Sequence, residues 1–257
     1  MKLLSITVLI ASIWTTTLFA QTVNIGFEPF PPMITEHGKG HVINMLHIIE
    51  NNSDLKFNIE IMTYARAKLA LKDNKIDLIG LTPQHLETKE FYTYAQDLSW
   101  SIAAQVDIFS LESGPIDIAK IPDTSIGTLI GNADFFSELL DIPREKFVEV
   151  SNLTQLVKML DQGRLELATF ERIAMMSTIK RLKIKTIFYQ KYGVIQASMA
   201  VANNAKGLTL KNKLDKLLKK SNVNFDHQQI IDYRNLPDSG VVSIAPNFNS
   251  LELKKQR

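Results

Sequence analysis

Segments in which apolar residues have the spacing of a strand alternate along the chain with segments in which they have the spacing of a helix. Residues 23–27 form a short apolar run that ends where Pro29, Pro31 and Pro32 remove backbone donors, so a strand followed by a loop is predicted. The pattern then predicts a helix over 41–49, a strand over 57–62, a helix over 64–71 and a strand over 76–81. Strands that alternate with helices predict an α/β fold with largely parallel sheets.

One pattern occurs twice. Residues 66–80 and 154–168 each read as a helix, a turn and a strand, with Asn74 in the first turn and Gly163 in the second. Asn and Gly tolerate the left-handed conformation in which helices commonly end. The match is either the ordinary link between a helix and a strand or the mark of two similar α/β lobes. Two lobes would each present loops at the carboxyl ends of their strands, where open α/β sheets bind ligands.

Two extended stretches predict strands that cross between the lobes: residues 97–111, which contain no helix breaker, and residues 185–201. A pair of crossing strands forms a hinge of the kind that closes around ligands. The tail is rich in Ser, Asn and Pro, which is typical of poor order. The expected organisation is a signal peptide over 1–20, a discontinuous first lobe over 21–100 and 196–236, a second lobe over 101–195, and a poorly ordered tail over 237–257.

The first twenty residues have the pattern of a secretory signal, with Lys2, an apolar core over 3–13 and the small residue Ala20 before Gln21. A membrane anchor or a buried helix is the alternative, although serines and threonines interrupt the apolar run. The chain has no cysteine, which excludes disulfides, thiolate nucleophiles and lipid attachment at a processed cysteine. We therefore expect a periplasmic protein that is cleaved after Ala20 and carries no lipid anchor.

The net charge and the sequence motifs limit the classes of function that the chain can have. The net charge is +2 and the basic residues are scattered, so a nucleic-acid partner is not expected. His37, His41 and His47 could suggest a metal site, but two glycines between the first two histidines argue against a rigid ligand pair. The chain has no zinc-protease, nucleophile-elbow or phosphate-loop motif. We expect no metal, no cofactor and no catalytic residues.

Five segments carry a family resemblance through their order and spacing. They are VNIGFEPFPP from Val23, YARA from Tyr64, NKIDLIGLTPQ from Asn74, IGTLIGNADF from Ile126 and QGRLELATFE from Gln162. Together they resemble the type II periplasmic solute-binding proteins, specifically the polar amino-acid receptor branch of family 3 of ABC-transporter substrate-binding proteins. The resemblance implies a two-lobed α/β fold with two crossing strands as its hinge. It also implies a monomer that captures a small polar solute and meets a membrane permease.

The resemblance implies several ligand contacts in the first lobe. Phe27 and Phe30 match the family's aromatic contact after the first strand, although Phe30 could instead fill the core. Family members that bind α-amino acids hold the carboxylate with an arginine after the third strand, in a stretch that here begins at Thr82, itself an expected ligand contact. That stretch contains no arginine, and counting places Lys89 or Thr88 at the position. Lysine offers a point charge without the planar fork of arginine.

The remaining implied contacts lie in the second lobe and at the rim of the cleft. Gly131 and Asn132 belong to a loop whose N–H groups meet the ligand anion in the family; an ordinary turn is the alternative. Glu171 matches the acid that faces the ligand ammonium, or it is an exposed acid at a helix start. Arg66 is a ligand contact, an interlobe ion pair or a surface residue. Trp100 at the hinge faces either the ligand or the core.

Two other functions fit the same resemblance. A receptor of this fold can present its bound ligand to a membrane signalling protein, and the missing arginine makes this alternative attractive. An enzyme resembling the dehydratases that act on prephenate-like acids is the third hypothesis. Its chemistry needs a general acid beside a carboxylate-binding cation, roles that Glu171 and Lys89 could supply.

Overall fold

The computed structural model describes residues 21–118, 121–221 and 228–242. The strands are β1 Gln21–Phe27, β2 Leu55–Ile61, β3 Leu78–Pro83, β4 Ala95–Ser110, β5 Ile126–Leu129, β6 Phe147–Val150, β7 Leu167–Glu171, β8 Phe188–Ala202 and β9 Ser239–Val241. The helices are α1 His41–Asn51, α2 Tyr64–Lys72, α3 Lys89–Tyr94, α4 Ala133–Leu140, α5 Leu153–Asp161, α6 Arg172–Leu182, α7 Ala205–Ser221 and α8 Gln228–Arg234. The predicted signal peptide over 1–20 lies outside the described residues.

Two long antiparallel strands join the halves of the fold. The strands lie in the order β2-β1-β3-β8-β4-β7-β5-β6, and β9 pairs with β8. β4 and β8 pair from Ala95 opposite Ala202 to Ser110 opposite Phe188. Lobe 1 carries the parallel strands β1, β2 and β3 at one end of this pair, and lobe 2 carries β5, β6 and β7 at the other. The predicted two-lobed α/β fold with two crossing strands is confirmed.

Each lobe has its own apolar core. In lobe 1, α1 buries its stripe of Val42, Ile43, Met45, Leu46 and Ile49 in a cluster that also receives α7. In lobe 2, α5 buries four residues at helical spacing, namely Leu153, Leu156, Val157 and Leu160. Burial of these stripes supplies most of the free energy that holds helices against a sheet. Among the described residues, no helix is long and apolar enough to cross a membrane.

The repeated helix–turn–strand pattern has the same geometry in both lobes. Asn74 and Gly163 both have positive φ, 55° and 66°. The next residue donates in both cases to a helix carbonyl five residues earlier, Lys75 at 2.8 Å and Arg164 at 2.9 Å. The left-handed turn that the sequence predicts is therefore present twice, which agrees with two similar lobes.

The expectation of a poorly ordered tail from residue 237 is wrong for its first part. β9 pairs with β8 through Tyr189 opposite Gly240, and this pairing satisfies backbone groups of the tail. The buried Arg172 guanidinium fixes the chain just before β9, because it donates to the carbonyl oxygens of Tyr233 and Leu236. Its charge is balanced by Asp107, 2.6 Å away and equally buried. Residues 243–257 lie outside the described part of the chain.

We expect Gly163→Ala to lower the free energy of unfolding by about 1 kcal/mol, because alanine is strained at a left-handed position. A Cβ at this site meets no atom within 4 Å, so strain is the only cost. Gly163→Asn, which copies Asn74 of the other lobe, is the matched control and should cost less. Urea unfolding measures both variants. Equal losses for alanine and asparagine would contradict the assignment.

Candidate functional site

The carboxyl ends of the parallel strands in the two lobes face each other across the β4–β8 hinge. Residues that follow β1 and begin α2 in lobe 1 meet the loop between β5 and α4 in lobe 2. We call this set the interlobe contact; it consists of Glu28, Ala65, Lys68, Ile130, Gly131 and Asn132. The Ala65 backbone N–H donates to the Ile130 carbonyl at 3.2 Å, and Lys68 Nζ donates to the Gly131 carbonyl at 2.7 Å. The sequence predicted Gly131 and Asn132 as ligand contacts and did not predict the residues of lobe 1 that they meet here.

Glu28 is the buried carboxyl group at the centre of the interlobe contact. Its side chain accepts hydrogen bonds from Asn132 Nδ2 at 3.3 and 3.4 Å, across the boundary between the lobes. The backbone N–H of Tyr64 also donates to Glu28. Burial raises the pKa of Glu28 to about 8, although the Asn132 and Tyr64 hydrogen bonds and the charge of Lys68 lower it. Burial in this contact therefore favours the protonated form of the Glu28 carboxyl group.

The backbone N–H groups of the loop before α4 donate hydrogen bonds to a carboxylate of the protein itself. Glu149 Oε1 accepts from the backbone N–H groups of Gly131 at 2.8 Å and Ala133 at 3.1 Å. Its other oxygen pairs with Arg144 at 2.9 Å. The N–H groups that the family resemblance assigned to a ligand anion thus donate to Glu149 here. The ligand-binding roles of Gly131 and Asn132 stay predictions.

Gly131 is required by two independent constraints. Its φ is +98°, a region that side chains rarely adopt. A Cβ at Gly131 would also lie 2.4 Å from the backbone nitrogen of Ala65 in the other lobe. A side chain at this position would therefore push against the backbone of lobe 1.

Glu171 has the position of a helix cap rather than of an exposed acid. Its Oε2 accepts from the backbone N–H of Ala174 at 2.8 Å, which caps the start of α6. The side chain is buried, and this burial raises its pKa to about 7 against the lowering effect of the cap. A contact of Glu171 with a ligand stays a prediction. No hydrogen bond or ion pair joins Glu171 to Lys89, the cation of the enzyme hypothesis, among the described residues.

The two predicted aromatic residues differ in position. Phe27 is fully buried in the core of lobe 1. Phe30 is half-buried, packs against the cores of both lobes and lies 5.8 Å from Phe170 of lobe 2 between ring centroids. Trp100 at the hinge packs against the core of lobe 1. Phe30 is thus the predicted aromatic residue that the fold brings to the junction of the lobes.

The other predicted residues of lobe 1 lie at its surface or in its core. Arg66 is exposed and pairs with Glu60 of its own lobe at 3.2 Å, so its position is that of a surface residue. Lys89 is exposed at the first position of α3. Thr82 is buried and donates to Asp97 Oδ1 at 3.2 Å. The structure does not bring Arg66 or Lys89 into the interlobe contact.

A buried polar network beside the interlobe contact was missed from the sequence. Tyr64 Oη donates to Glu87 Oε1 at 2.9 Å, and Lys68 Nζ lies 3.6 Å from the other oxygen of Glu87. Lys68 also lies over the Tyr64 ring, 4.6 Å from its centroid. Burial raises the pKa of Glu87. The spacing of four residues between Tyr64 and Lys68 on one helix was the available signal.

No metal site is formed by His37, His41 and His47. Within 21–118, 121–221 and 228–242, no group of three or more histidine, aspartate and glutamate side chains could hold a metal ion. His47 instead lies 3.3 Å from Glu50 on the surface of α1.

The chain matches no protein-family model and no curated protein. Among solved structures, it is similar to the arginine-bound form of truncated ArgBP from T. maritima, with 18% identity and a TM-score of 0.62 over 77% of this chain and 95% of that one. A substrate-binding protein of an amino acid ABC transporter shares 18% identity and a TM-score of 0.61 over 83% and 96% of the chains. A histidine kinase sensor domain similar to periplasmic binding proteins shares 13% identity and a TM-score of 0.65 over 84% and 94%.

These similarities show the class of fold. The chain has the two-lobed α/β architecture of type II periplasmic binding proteins over most of its length. The resemblance found in the sequence is confirmed for the fold, and the structural neighbours include an arginine-bound protein and a substrate-binding protein of an amino acid ABC transporter.

We expect Gly131→Ala to separate the lobes, because its Cβ would collide with the Ala65 backbone. Gly114→Ala is the matched control, since Gly114 also has positive φ, +128°, but a Cβ there meets no atom within 4 Å. Small-angle X-ray scattering should give a larger radius of gyration for Gly131→Ala and an unchanged one for Gly114→Ala. The same radius for both variants would contradict the tight packing described here.

Proposed function

We propose that this protein is an exported receptor that captures a small polar solute, an amino acid or a related molecule, between its two lobes. The observation that carries the proposal is the burial of polar groups where the lobes meet, chiefly Glu28 and Asn132. A hinge of two strands, β4 and β8, lies beside these groups and would allow them to open and close. The neighbouring arginine-bound and amino-acid transport proteins support the same class of solute.

The site favours no particular amino acid. The stretch after β3 has no arginine for a ligand carboxylate, and the N–H groups of Gly131 and Ala133 donate to Glu149. A ligand carboxylate would therefore have to displace Glu149 or find other donors. For this reason the proposal extends to amines, organic acids and sugars, although amino acids remain the first class to test.

In this proposal the protein acts in the periplasm after cleavage behind Ala20, without a lipid anchor. It works as a monomer, has no catalytic activity, and hands its solute to the permease of an ABC-type uptake system. Export is supported by the pattern of the first twenty residues. Binding without turnover is supported by the transport role printed for one of the neighbours.

A ligand-sensing receptor for a membrane signalling protein is the second candidate. The similarity to a histidine kinase sensor domain, which covers 84% of this chain, favours it. The two proposed functions share the solute-binding step and differ in the membrane protein that binds the closed form. Stimulation of ATP hydrolysis by a reconstituted permease would support transport, and changed activity of a membrane kinase would support sensing.

We expect a single class of solute to raise the melting temperature in a panel of amino acids, amines, organic acids and sugars. A ligand at one hundred times its Kd stabilises the folded protein by about 2.7 kcal/mol, which corresponds to several degrees. The measurement is a thermal shift followed by isothermal titration calorimetry. Consumption of the bound solute would contradict the non-catalytic proposal, and no shift with any class would contradict solute binding.

Phe30→Ala provides the site control for this panel. Phe30 lies between the two cores, so its removal should reduce the shift caused by the solute. Tyr192→Ala is the matched aromatic substitution, because Tyr192 is an exposed residue of β8. It should leave the shift unchanged when each variant is compared with its own solute-free sample. Equal losses in both variants would contradict a solute site between the lobes.

A further inference from the structure

Glu28 of lobe 1 lies against Asn132 of lobe 2 in the structure. The only exposure left to Glu28 is 7%, and Asn132, also 7% exposed, supplies a donor to both of its oxygens. Opening the lobes would remove Asn132 and admit water to the carboxyl group. An opened form would therefore surround Glu28 with water in place of Asn132.

Three further ionisable groups face Glu28. Tyr64 and Lys68 come from α2 in its own lobe, and Glu149 comes from β6 in the other lobe. Lys68 favours an ionised Glu28, but it also interacts with Glu87 at 3.6 Å and donates to the Gly131 carbonyl. Glu149 disfavours an ionised Glu28, since two like charges would meet as the lobes close. The hydrogen bonds from Asn132 and Tyr64 also favour the ionised form, but burial is the largest effect and outweighs them together with Lys68.

We propose that closure of the two lobes takes up a proton at Glu28, so that the closed form is favoured as the pH falls. The proposal concerns the regulation of the solute site and rests on the proposed function for its biological meaning. Its physical basis is the buried position of Glu28 at a boundary that closure creates.

The direction of the pH dependence follows from the two states of Glu28. Its pKa is about 8 in the closed form, against an ordinary value of 4.5 for an exposed glutamate. The form with the higher pKa binds the proton more tightly, so the contribution to closure is complete below about pH 4.5 and is lost as the pH rises through about 8. Between these limits the ratio of closed to open molecules falls by up to about tenfold per pH unit.

The experiment measures the distance between the lobes without any solute. The chain has no cysteine, so Glu60→Cys and Ser151→Cys introduce the only two labelling sites. Glu60 lies near the carboxyl end of β2 and Ser151 directly follows β6, the outermost strands of the two lobes. With spin labels at both sites, double electron–electron resonance gives the distance distribution. We expect the short-distance population to grow as the pH falls from 9 to 6.

Glu28→Gln should remove this response, because glutamine is neutral at every pH and keeps the shape of the protonated acid. Its distribution should stay at the low-pH form of the parent. Glu28→Met provides a second neutral side chain in case the glutamine variant does not fold. An unchanged pH response in either folded variant would overturn the proposal, as would a parent protein whose distances do not depend on pH.

Glu36→Gln is the matched control. Glu36 also reaches the other lobe, 3.7 Å from Arg181, but both side chains are about half exposed. An exposed ion pair contributes little to closure, so this variant should keep the response of the parent. Loss of the response in Glu36→Gln would overturn the assignment to Glu28. The experiment uses no solute, so its result does not depend on whether a solute is found. Conversely, a distance between the lobes that does not change with pH would contradict this proposal but not the proposed solute binding.

Discussion

The pairing of β4 with β8 is the constraint on which the rest of the structure depends. These strands are shared by both lobes, so each set of parallel strands must attach to one end of the pair with its carboxyl ends toward the other set. The register of the pair shifts between Asp97 and Ser101, and side chains satisfy the backbone there. Ser198 Oγ donates to the Trp100 carbonyl at 2.7 Å, and Gln84 Nε2 donates to the Leu98 carbonyl at 2.8 Å. The hinge therefore bends without leaving these carbonyl groups unpaired.

Acids of the protein itself occupy the helix starts near the junction of the lobes. Glu28 accepts from the first residue of α2, Glu149 from the first residue of α4, and Glu171 from the first turn of α6. The carboxyl oxygens accept hydrogen bonds from the N–H groups of these helix starts, which also attract negative charge, although burial favours the protonated forms of Glu28 and Glu171. Two of these acids, Glu28 and Glu171, have raised pKa values because they are also buried. The junction is consequently polar and satisfied from within, which distinguishes it from a site built around free anion donors.

Residues with strong local preferences could be placed from the sequence. The turns at Asn74 and Gly163 were predicted because few residues accept a left-handed backbone, and both have it. Helices α1 and α5 were visible because an apolar stripe repeats with the helical period. The residues of the candidate site were harder to predict from the sequence. Gly131 and Asn132, which the family resemblance predicted as ligand contacts, lie in the interlobe contact. Arg66 and Lys89 lie at the surface, since their charge alone does not fix the direction in which a side chain points.

The sequence by itself determined the α/β class, the two crossing strands and the positions of the lobes' repeated turns, because these depend on local periodicity and backbone preference. Only the tertiary structure decided that Glu28 meets Asn132, that Glu149 occupies the loop before α4, and that β9 joins the tail to β8. Such contacts join residues far apart in the chain. Which residues meet depends on how the two lobes are placed relative to each other by the hinge. The sequence shows that residue 28 is a glutamate, whereas the burial and protonation of Glu28 depend on the opposite lobe.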